Sequence, residues 1–224
     1  MPRRLATPEQ APPQIALWQV DFDFTQPIAT RDWHCLSQDE LVHAARYRHL
    51  QDRVRYGEMR VALRHLLASR LGCAPQCVRL ASNAYGKPCL ATPGGPAFNQ
   101  SHAGQAGLLA LADGLQVGID IESAGRVLAA DELDAMAAQM LGPRERERAG
   151  RLDAEGFLQR WVGKEAALKA LGLGIARHLH TLEVCPHDDG RYTVMHGRPD
   201  WPQVQAHRLE TLPGYAAALA WIQP

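Results

Sequence analysis

Residues 117–122 of the chain read VGIDIE, and this stretch decides how the rest of the sequence is interpreted. Its apolar residues occupy every second position and Gly118 permits close backbone approach, a pattern that predicts a buried β-strand. Side chains two residues apart on a strand point to one face, so Asp120 and Glu122 can converge on one cation. The stretch therefore predicts a strand that carries two carboxylates at its end.

A second stretch, WVGKEAALK at residues 161–169, predicts a helix that adds a third carboxylate. Apolar residues form one stripe along it, and no proline occurs between residues 145 and 185. Glu165 and Lys169 are four residues apart and share one face of that helix. Three carboxylates and a lysine are side chains that can form a magnesium site acting on a phosphate. Zinc would instead require His or Cys, which neither motif contains.

Each motif also has an ordinary structural interpretation. An acidic pair at a strand end is commonly a solvated turn, and a Glu four residues before a Lys is commonly a weak surface ion pair. Short motifs of this kind have a high false-positive risk. Their value therefore depends on what else the chain contains.

Four motifs follow one another along the chain: YGKP at residues 85–88, FNQSH at 98–102, GIDIE at 118–122 and WVGKEAALK at 161–169. This ordered set resembles the 4′-phosphopantetheinyl transferase superfamily. Length and motif order resemble its larger, surfactin-synthetase-activating type. The resemblance extends from about residue 39 to about residue 220, and four motifs in the right order make it specific.

The resemblance implies an enzyme that transfers the phosphopantetheine arm of coenzyme A to a serine hydroxyl of an apo carrier protein and releases 3′,5′-ADP. Asp120, Glu122 and Glu165 would hold Mg²⁺ against the pyrophosphate. Glu165 could also accept the serine proton, directly or through water. Lys169 would stabilise or protonate the departing phosphate oxygen. The catalytic candidates are thus Asp120, Glu165 and Lys169.

The same resemblance implies a set of residues that bind coenzyme A. Arg55 aligns with the family arginine that grips the 3′-phosphate, and its guanidinium suits a phosphate group. His102 would donate to a coenzyme A phosphate with help from Ser101. Without the other motifs, YGKP would be interpreted as a surface turn and His102 as a structural histidine. The whole set is Arg55, Lys87, Pro88, Ser101, His102 and Lys169, with Lys87 and Pro88 along the adenine and ribose.

The mixture of helical and alternating patterns predicts an α+β fold with antiparallel hairpins. The resemblance implies two similar α+β halves related by a pseudo-two-fold axis, with coenzyme A in the crevice between them. We expect a disordered N-terminus at residues 1–14, an N-terminal half at 15–113 and a C-terminal half at 114–224 that carries the metal site. Such a pseudo-dimer can work as a monomer.

The boundaries of the predicted elements follow from periodicity and from Gly and Pro. Helices are predicted at residues 38–47, 52–71, 130–140 and 143–170. A pair of strands is predicted to start at residue 98 and to continue through 108–111 to 117–120. The other strands are predicted at residues 15–24, from 78 to 81, and at 181–185, 192–196 and 215–222.

Composition favours a compact cytoplasmic enzyme. The chain has 224 residues, 46% of them hydrophobic, and its 24 basic residues balance 24 acidic ones, which gives no overall field for binding nucleic acid. No run approaches the roughly 20 apolar residues that span a bilayer, and prolines interrupt the N-terminal segment where a signal peptide would be apolar. The five cysteines are an odd number without a recognisable framework, so free thiols are expected.

The expected partner is an apo acyl or peptidyl carrier protein, and the sequence does not choose among fatty acid, polyketide, nonribosomal peptide and reductase carriers. Residues 144–151 and 172–178 flank the Glu165 helix and are candidates for its docking surface, although a solvated face of mixed charge explains them equally well. Two other functions stay open. One is a catalytically silent module that binds coenzyme A or a carrier, and the other is a metal-dependent phosphoesterase.

Overall fold

Two antiparallel β-sheets and two long helices build the fold in a computed structural model, which describes residues 2–125, 130–174, 178–210 and 213–223. The first sheet has four strands in the order β1-β2-β6-β5, and β3 and β4 form a separate hairpin. The elements of this first half are β1 (Arg3–Leu5), β2 (Ile15–Asp21), α1 (Gln38–Ala45), α2 (Leu50–Leu71), β3 (Leu80–Ser82), β4 (Pro88–Leu90), β5 (Ala97–Ala103) and β6 (Ala106–Ala112).

The second sheet has five strands in the order β7-β11-β10-β9-β8. Its long helix, α5, packs on β7 and β11. The elements of this second half are β7 (Gln116–Ser123), α3 (Ala130–Met140), α4 (Pro143–Ala149), α5 (Ala154–Leu171), β8 (Leu182–Pro186), β9 (Arg191–His196), β10 (Gln205–Arg208) and β11 (Tyr215–Ile222).

The two halves share one connectivity. In each, one strand (β2 or β7) is followed by a long helix, and the last strand of the half returns to pair antiparallel with it: β6 with β2, and β11 with β7. The predicted α+β class with two similar halves is therefore confirmed. A short turn at residues 113–115 joins β6 to β7.

One hydrophobic core crosses from the first half to the second. Ile15, Leu17 and Leu108 of the first sheet belong to the same buried cluster as Ile119 and Leu219 of the second. Each fully buried aliphatic side chain contributes about 1.5–3 kcal/mol. β5 and β7, the edge strands of the two sheets, lie next to each other. Burial of this shared cluster therefore holds the two halves together.

The predicted helix at residues 143–170 was wrong in one respect, since two helices occupy this segment. Gly150 has φ 61° and ψ −149°, which ends α4 in a conformation open to glycine. Asp153 then accepts a hydrogen bond from the Gly156 amide and starts α5. A glycine followed by an acidic N-cap residue indicates the end of one helix and the start of the next. The prediction missed this signal because it relied on the absence of proline between residues 145 and 185.

The N-terminal segment differs from the expected disorder, because residues 3–5 form a strand on β2. Arg3 donates to the Gln19 side chain at 3.0 Å, and the Arg4 guanidinium lies 4.9 Å from the ring centroid of Trp18. The proline-rich composition gave no sign of these contacts. The sequence also missed β4 and β10.

All five cysteines are free thiols, as expected. None of the helices within the described ranges is long and apolar enough to cross a membrane.

Candidate active site

Asp120 lies at the centre of a polar cluster between the two halves. It is near the end of β7, and only 1% of its surface is exposed. Its Oδ1 accepts hydrogen bonds from Lys169 Nζ at 2.5 Å and from Ser101 Oγ at 2.7 Å. Its Oδ2 is buried without a hydrogen-bond partner in the described part of the chain. A buried carboxylate oxygen without a donor favours a cation beside it.

Lys169 reaches three members of this cluster from α5. Besides Asp120, its Nζ lies 3.3 Å from Glu165 Oε2 and 3.2 Å from Ser101 Oγ. Burial disfavours the charge on Lys169, but the Asp120 and Glu165 carboxylates outweigh burial and raise its pKa. Lys169 therefore stays an ammonium group, and it joins residues from β5, β7 and α5.

The carboxyl groups of Glu165 and Glu122 both have pKa values raised by their surroundings. Burial, and then the charge of Asp120, raise the pKa of Glu165 from 4.5 to about 7. Burial and Asp120 also raise the pKa of Glu122, against a hydrogen bond from the Trp161 side chain that lowers it. Acidic groups that repel one another in a cleft are typical of sites for a cation or for acid–base chemistry.

The three predicted metal ligands are brought to one region, although not as a finished cage. Among the residues that the structure describes, no three His, Cys, Asp or Glu side chains form a metal-binding group. The Lys169 ammonium group contacts both Asp120 and Glu165 instead. The oxygen donors and the unpartnered Asp120 Oδ2 fit the chemistry of Mg²⁺, which takes few protein carboxylates and keeps several waters.

His102 lies near the C-terminal end of β5, next to Arg55. Its ring packs edge-on against Phe22, with 6.3 Å between centroids. Burial, followed by the Arg55 charge, lowers the pKa of His102. Arg55 Nε donates to the Gly104 carbonyl at 2.8 Å and its Nη1 donates to Asp52 at 2.7 Å. Two predicted phosphate-binding residues are thus neighbours, and an acidic residue already contacts one of them.

Lys87 has a different environment from the one that the sequence suggested. Its Nζ donates to the backbone carbonyls of Val117 at 3.0 Å and Lys169 at 2.6 Å. Burial lowers the pKa of Lys87 to about 8. The Lys87 amine therefore ties the β3–β4 hairpin to β7 and α5, while Pro88 helps to line a cleft of about 270 Å³ that also includes Tyr85, Asn99 and Lys169.

Two buried polar contacts escaped the sequence analysis. Lys164, with no exposed surface, contacts Glu145 at 2.6 Å and donates to three backbone carbonyls. Asn99 accepts a hydrogen bond from the Ile119 amide at 2.9 Å. A signal existed for Lys164, because it lies three residues after Trp161 and four before Leu168, on the apolar stripe of the helix. Asn99 gave none beyond its place in the FNQSH motif.

Comparison with known proteins identifies similar sequences over most of the chain. A sequence model described as the 4′-phosphopantetheinyl transferase superfamily matches residues 116–220. The putative 4′-phosphopantetheinyl transferase slr0495 of Synechocystis is 31% identical over 225 residues, which cover 93% of this chain and 87% of the relative. The 4′-phosphopantetheinyl transferase HetI of Nostoc is 33% identical over 178 residues, covering 76% and 73%.

A holo-(acyl-carrier-protein) synthase from Bacillus anthracis, solved with coenzyme A (3′,5′-ADP), superposes with a TM-score of 0.39 and 26% sequence identity. The match covers 48% of this chain and 94% of that one.

Proposed function

Because the chain belongs to the 4′-phosphopantetheinyl transferase superfamily, we propose that it transfers the 4′-phosphopantetheine arm of coenzyme A to a serine of an apo acyl or peptidyl carrier protein. The second product is 3′,5′-ADP. One observation carries the proposal: Lys169 joins Asp120, Glu165 and Ser101 in a single buried cluster at the junction of the halves. This cluster offers a base and a cation for phosphoryl-type transfer.

The residues of the cluster take complementary roles. Glu165, whose pKa is raised to about 7, accepts the proton of the carrier serine, directly or through water, because its basicity matches neutral pH. Lys169 stabilises the charge on the departing phosphate oxygen. Asp120, Glu122 and Glu165 would hold Mg²⁺, which neutralises charge at the pyrophosphate when bound. Asp120 also keeps Lys169 charged through its ion pair.

Coenzyme A would lie across the junction of the halves. His102 and Arg55 would bind its phosphates, and Ser101 would help to position them, since Ser101 and His102 are on β5 and Arg55 of α2 donates to the Gly104 carbonyl just after that strand. Pro88 would support the adenine at the 270 Å³ cleft. Lys87 contributes there through its backbone and stem, because its amine is held by two carbonyls. Residues 15–113 and 114–224 would act as pseudo-symmetric halves of one cytoplasmic monomer.

The carrier would dock beside α5, where the acceptor serine can reach Glu165. The docking surface at residues 144–151 and 172–178 stays a prediction, and residues 175–177 lie outside the described part of the chain. Arg146 donates to the Ala138 carbonyl at 2.7 Å, so reversing its charge would disturb the end of α3. Arg148 is exposed and forms an ion pair with Glu183 at 3.2 Å. Reversal of Arg148 is therefore the cleaner test of carrier KM.

The decisive assay incubates the protein with Mg²⁺, coenzyme A and an apo carrier, and then measures the mass of the carrier. A gain equal to the phosphopantetheine arm supports the transferase. Hydrolysis of coenzyme A without carrier modification would indicate a phosphoesterase, and binding without either reaction would indicate a silent module.

Variants on α5 make the assay specific for the proposed site. Glu165→Gln and Lys169→Met should each lower kcat about 100-fold or more, because they remove the base and the cation. Glu155→Gln is a matched control, since Glu155 is exposed on the same helix and accepts a hydrogen bond from Gln159 of that helix. Full activity in Glu165→Gln or Lys169→Met would remove the role assigned to that residue.

A further inference from the structure

Asn99 occupies an unusual place where the two halves meet. It is on β5, only 6% of its surface is exposed, and its Oδ1 accepts the Ile119 amide of β7 at 2.9 Å. β5 and β7 are neighbouring edge strands of different sheets, and no backbone ladder joins them in the described ranges. The Asn99 side chain therefore supplies the hydrogen-bond acceptor that a neighbouring strand supplies within a sheet.

The Ile119 amide is on the side of β7 that faces away from its partner strand β11. A buried backbone amide needs an acceptor, and the Asn99 side chain supplies one. Ser101, two residues further along β5, faces the same way and donates to Asp120 Oδ1 at 2.7 Å. Asn99 and Ser101, which point to the same side of β5, thus contact the consecutive residues Ile119 and Asp120 of β7. Together they set the position of one strand along the other.

We propose that Asn99 is a positioning residue for the transfer reaction: it holds the backbone at Ile119 so that Asp120 meets Ser101 and Lys169. This inference rests on the proposed function. Asn99 acts through the backbone next to Asp120 and does not itself touch the reacting atoms. Without its acceptor, β7 can shift along β5 and the Asp120 carboxylate moves relative to Lys169. A displacement of about 1 Å in such a site can cost about 100-fold in rate.

Asn99 also lines the 270 Å³ cleft, so a direct contact with coenzyme A is the competing explanation. The two explanations differ in kinetics. Loss of a positioning contact lowers kcat and leaves the KM for coenzyme A nearly unchanged, whereas loss of a substrate contact raises that KM.

The test compares three variants with the wild-type protein. Asn99→Leu removes the acceptor at similar volume, Asn99→Asp keeps an oxygen that can accept the Ile119 amide, and Tyr215→Phe is the matched control. Tyr215 also joins the halves through a side-chain contact with a backbone amide, because its hydroxyl accepts the Gln105 amide at 3.0 Å. It pairs with Ser123 in the β7–β11 ladder, three positions from Asp120, and its variant loses a bond of the same kind.

We expect Asn99→Leu to lose at least about 10-fold in kcat with a change of less than about twofold in the KM for coenzyme A, while Asn99→Asp recovers most of the loss. Tyr215→Phe should stay within about twofold of wild-type kcat. Hydrogen exchange of the peptide that contains Ile119 should be faster in Asn99→Leu, and unchanged in Tyr215→Phe, at equal thermal stability.

Two results would overturn the positioning role: unchanged kcat in Asn99→Leu, or a raised KM with unchanged kcat. These results are distinct from a failure of the proposed function, in which the wild-type protein itself adds no mass to the carrier. In that event the exchange measurement still decides the structural part, because unchanged exchange at Ile119 in Asn99→Leu would reject the contact and faster exchange would support it.

Discussion

At the scale of single residues, the site concentrates charge in a place that water reaches poorly. Lys169 and Ser101 both donate to Asp120, whereas burial, and then the charge of Asp120, raise the pKa of Glu165 and of Glu122. The ammonium group of Lys169 offsets part of that charge. A divalent cation would offset the rest, which is the physical reason to expect one at the unpartnered Asp120 Oδ2.

The raised pKa of Glu165 predicts how stability depends on pH when no metal is present. Between pH 4.5 and about 7 the folded protein holds a proton on Glu165 that the unfolded chain has released. The folded state therefore binds more protons, and this group makes the free energy of unfolding decrease as the pH rises through that window.

Urea unfolding in the presence of a chelator measures this effect. The free energy of unfolding of the wild type, minus that of Glu165→Gln, should decrease from pH 5 to pH 8. The free energy of unfolding of the wild type, minus that of Glu155→Gln, should not change with pH over the same range. A difference that grows with pH for Glu165→Gln would contradict the assigned pKa.

At the scale of elements, the position of α5 decides the geometry of the site, because this helix carries both Glu165 and Lys169. Two features hold it. Gly118 lets the backbone of α5 approach β7, and Lys164 ties α5 to α4 and to the strand β8. The periodic pattern of the helix predicted its existence and its apolar face, but not these anchors.

Gly118→Ala should separate α5 from β7. A Cβ at this position would overlap the Ala166 carbonyl oxygen and the Ala170 amide nitrogen, which are backbone atoms that cannot rotate away. We expect a loss of about 1–3 kcal/mol or more in unfolding free energy, with a lower kcat in the folded fraction. Gly197→Ala is the control, because nothing lies within 4 Å of its added Cβ. Equal stability of the two variants would show that α5 is not packed this closely.

The buried pair of Lys164 and Glu145 predicts non-additive mutations. Lys164→Met alone should destabilise the protein by about 3–5 kcal/mol, because it leaves a buried carboxylate without its cation. Glu145→Gln in the same chain should restore much of that loss, since the amide is neutral and its oxygen can still accept the Val184 amide. Urea unfolding of the single and double variants gives the coupling energy. Additive losses would mean that the two groups do not interact.

At the scale of the whole molecule, the site is shared between halves that cannot be separated without exposing their common core. Ser101 and Asn99 come from the first half, and Asp120, Glu165 and Lys169 from the second. A single chain thus supplies every residue of the proposed site.

A monomer should therefore be fully active. Light scattering after gel filtration should give a mass near 24.7 kDa, and activity per molecule should not change on dilution, because no second chain completes the site. Loss of specific activity on dilution, together with a dimer mass, would show that a partner chain contributes.

The α+β class, most helices and strands, the family, and the common face of Asp120 and Glu122 follow from the residue order alone, because periodicity and motif spacing are properties of neighbouring residues. Which side chains meet depends instead on the packing of distant elements. Lys169 contacts Asp120 across 49 positions of the chain, and Lys87 reaches the Lys169 carbonyl across 82. Such contacts depend on how two sheets and a helix pack, and packing is set by the whole core and not by any local pattern.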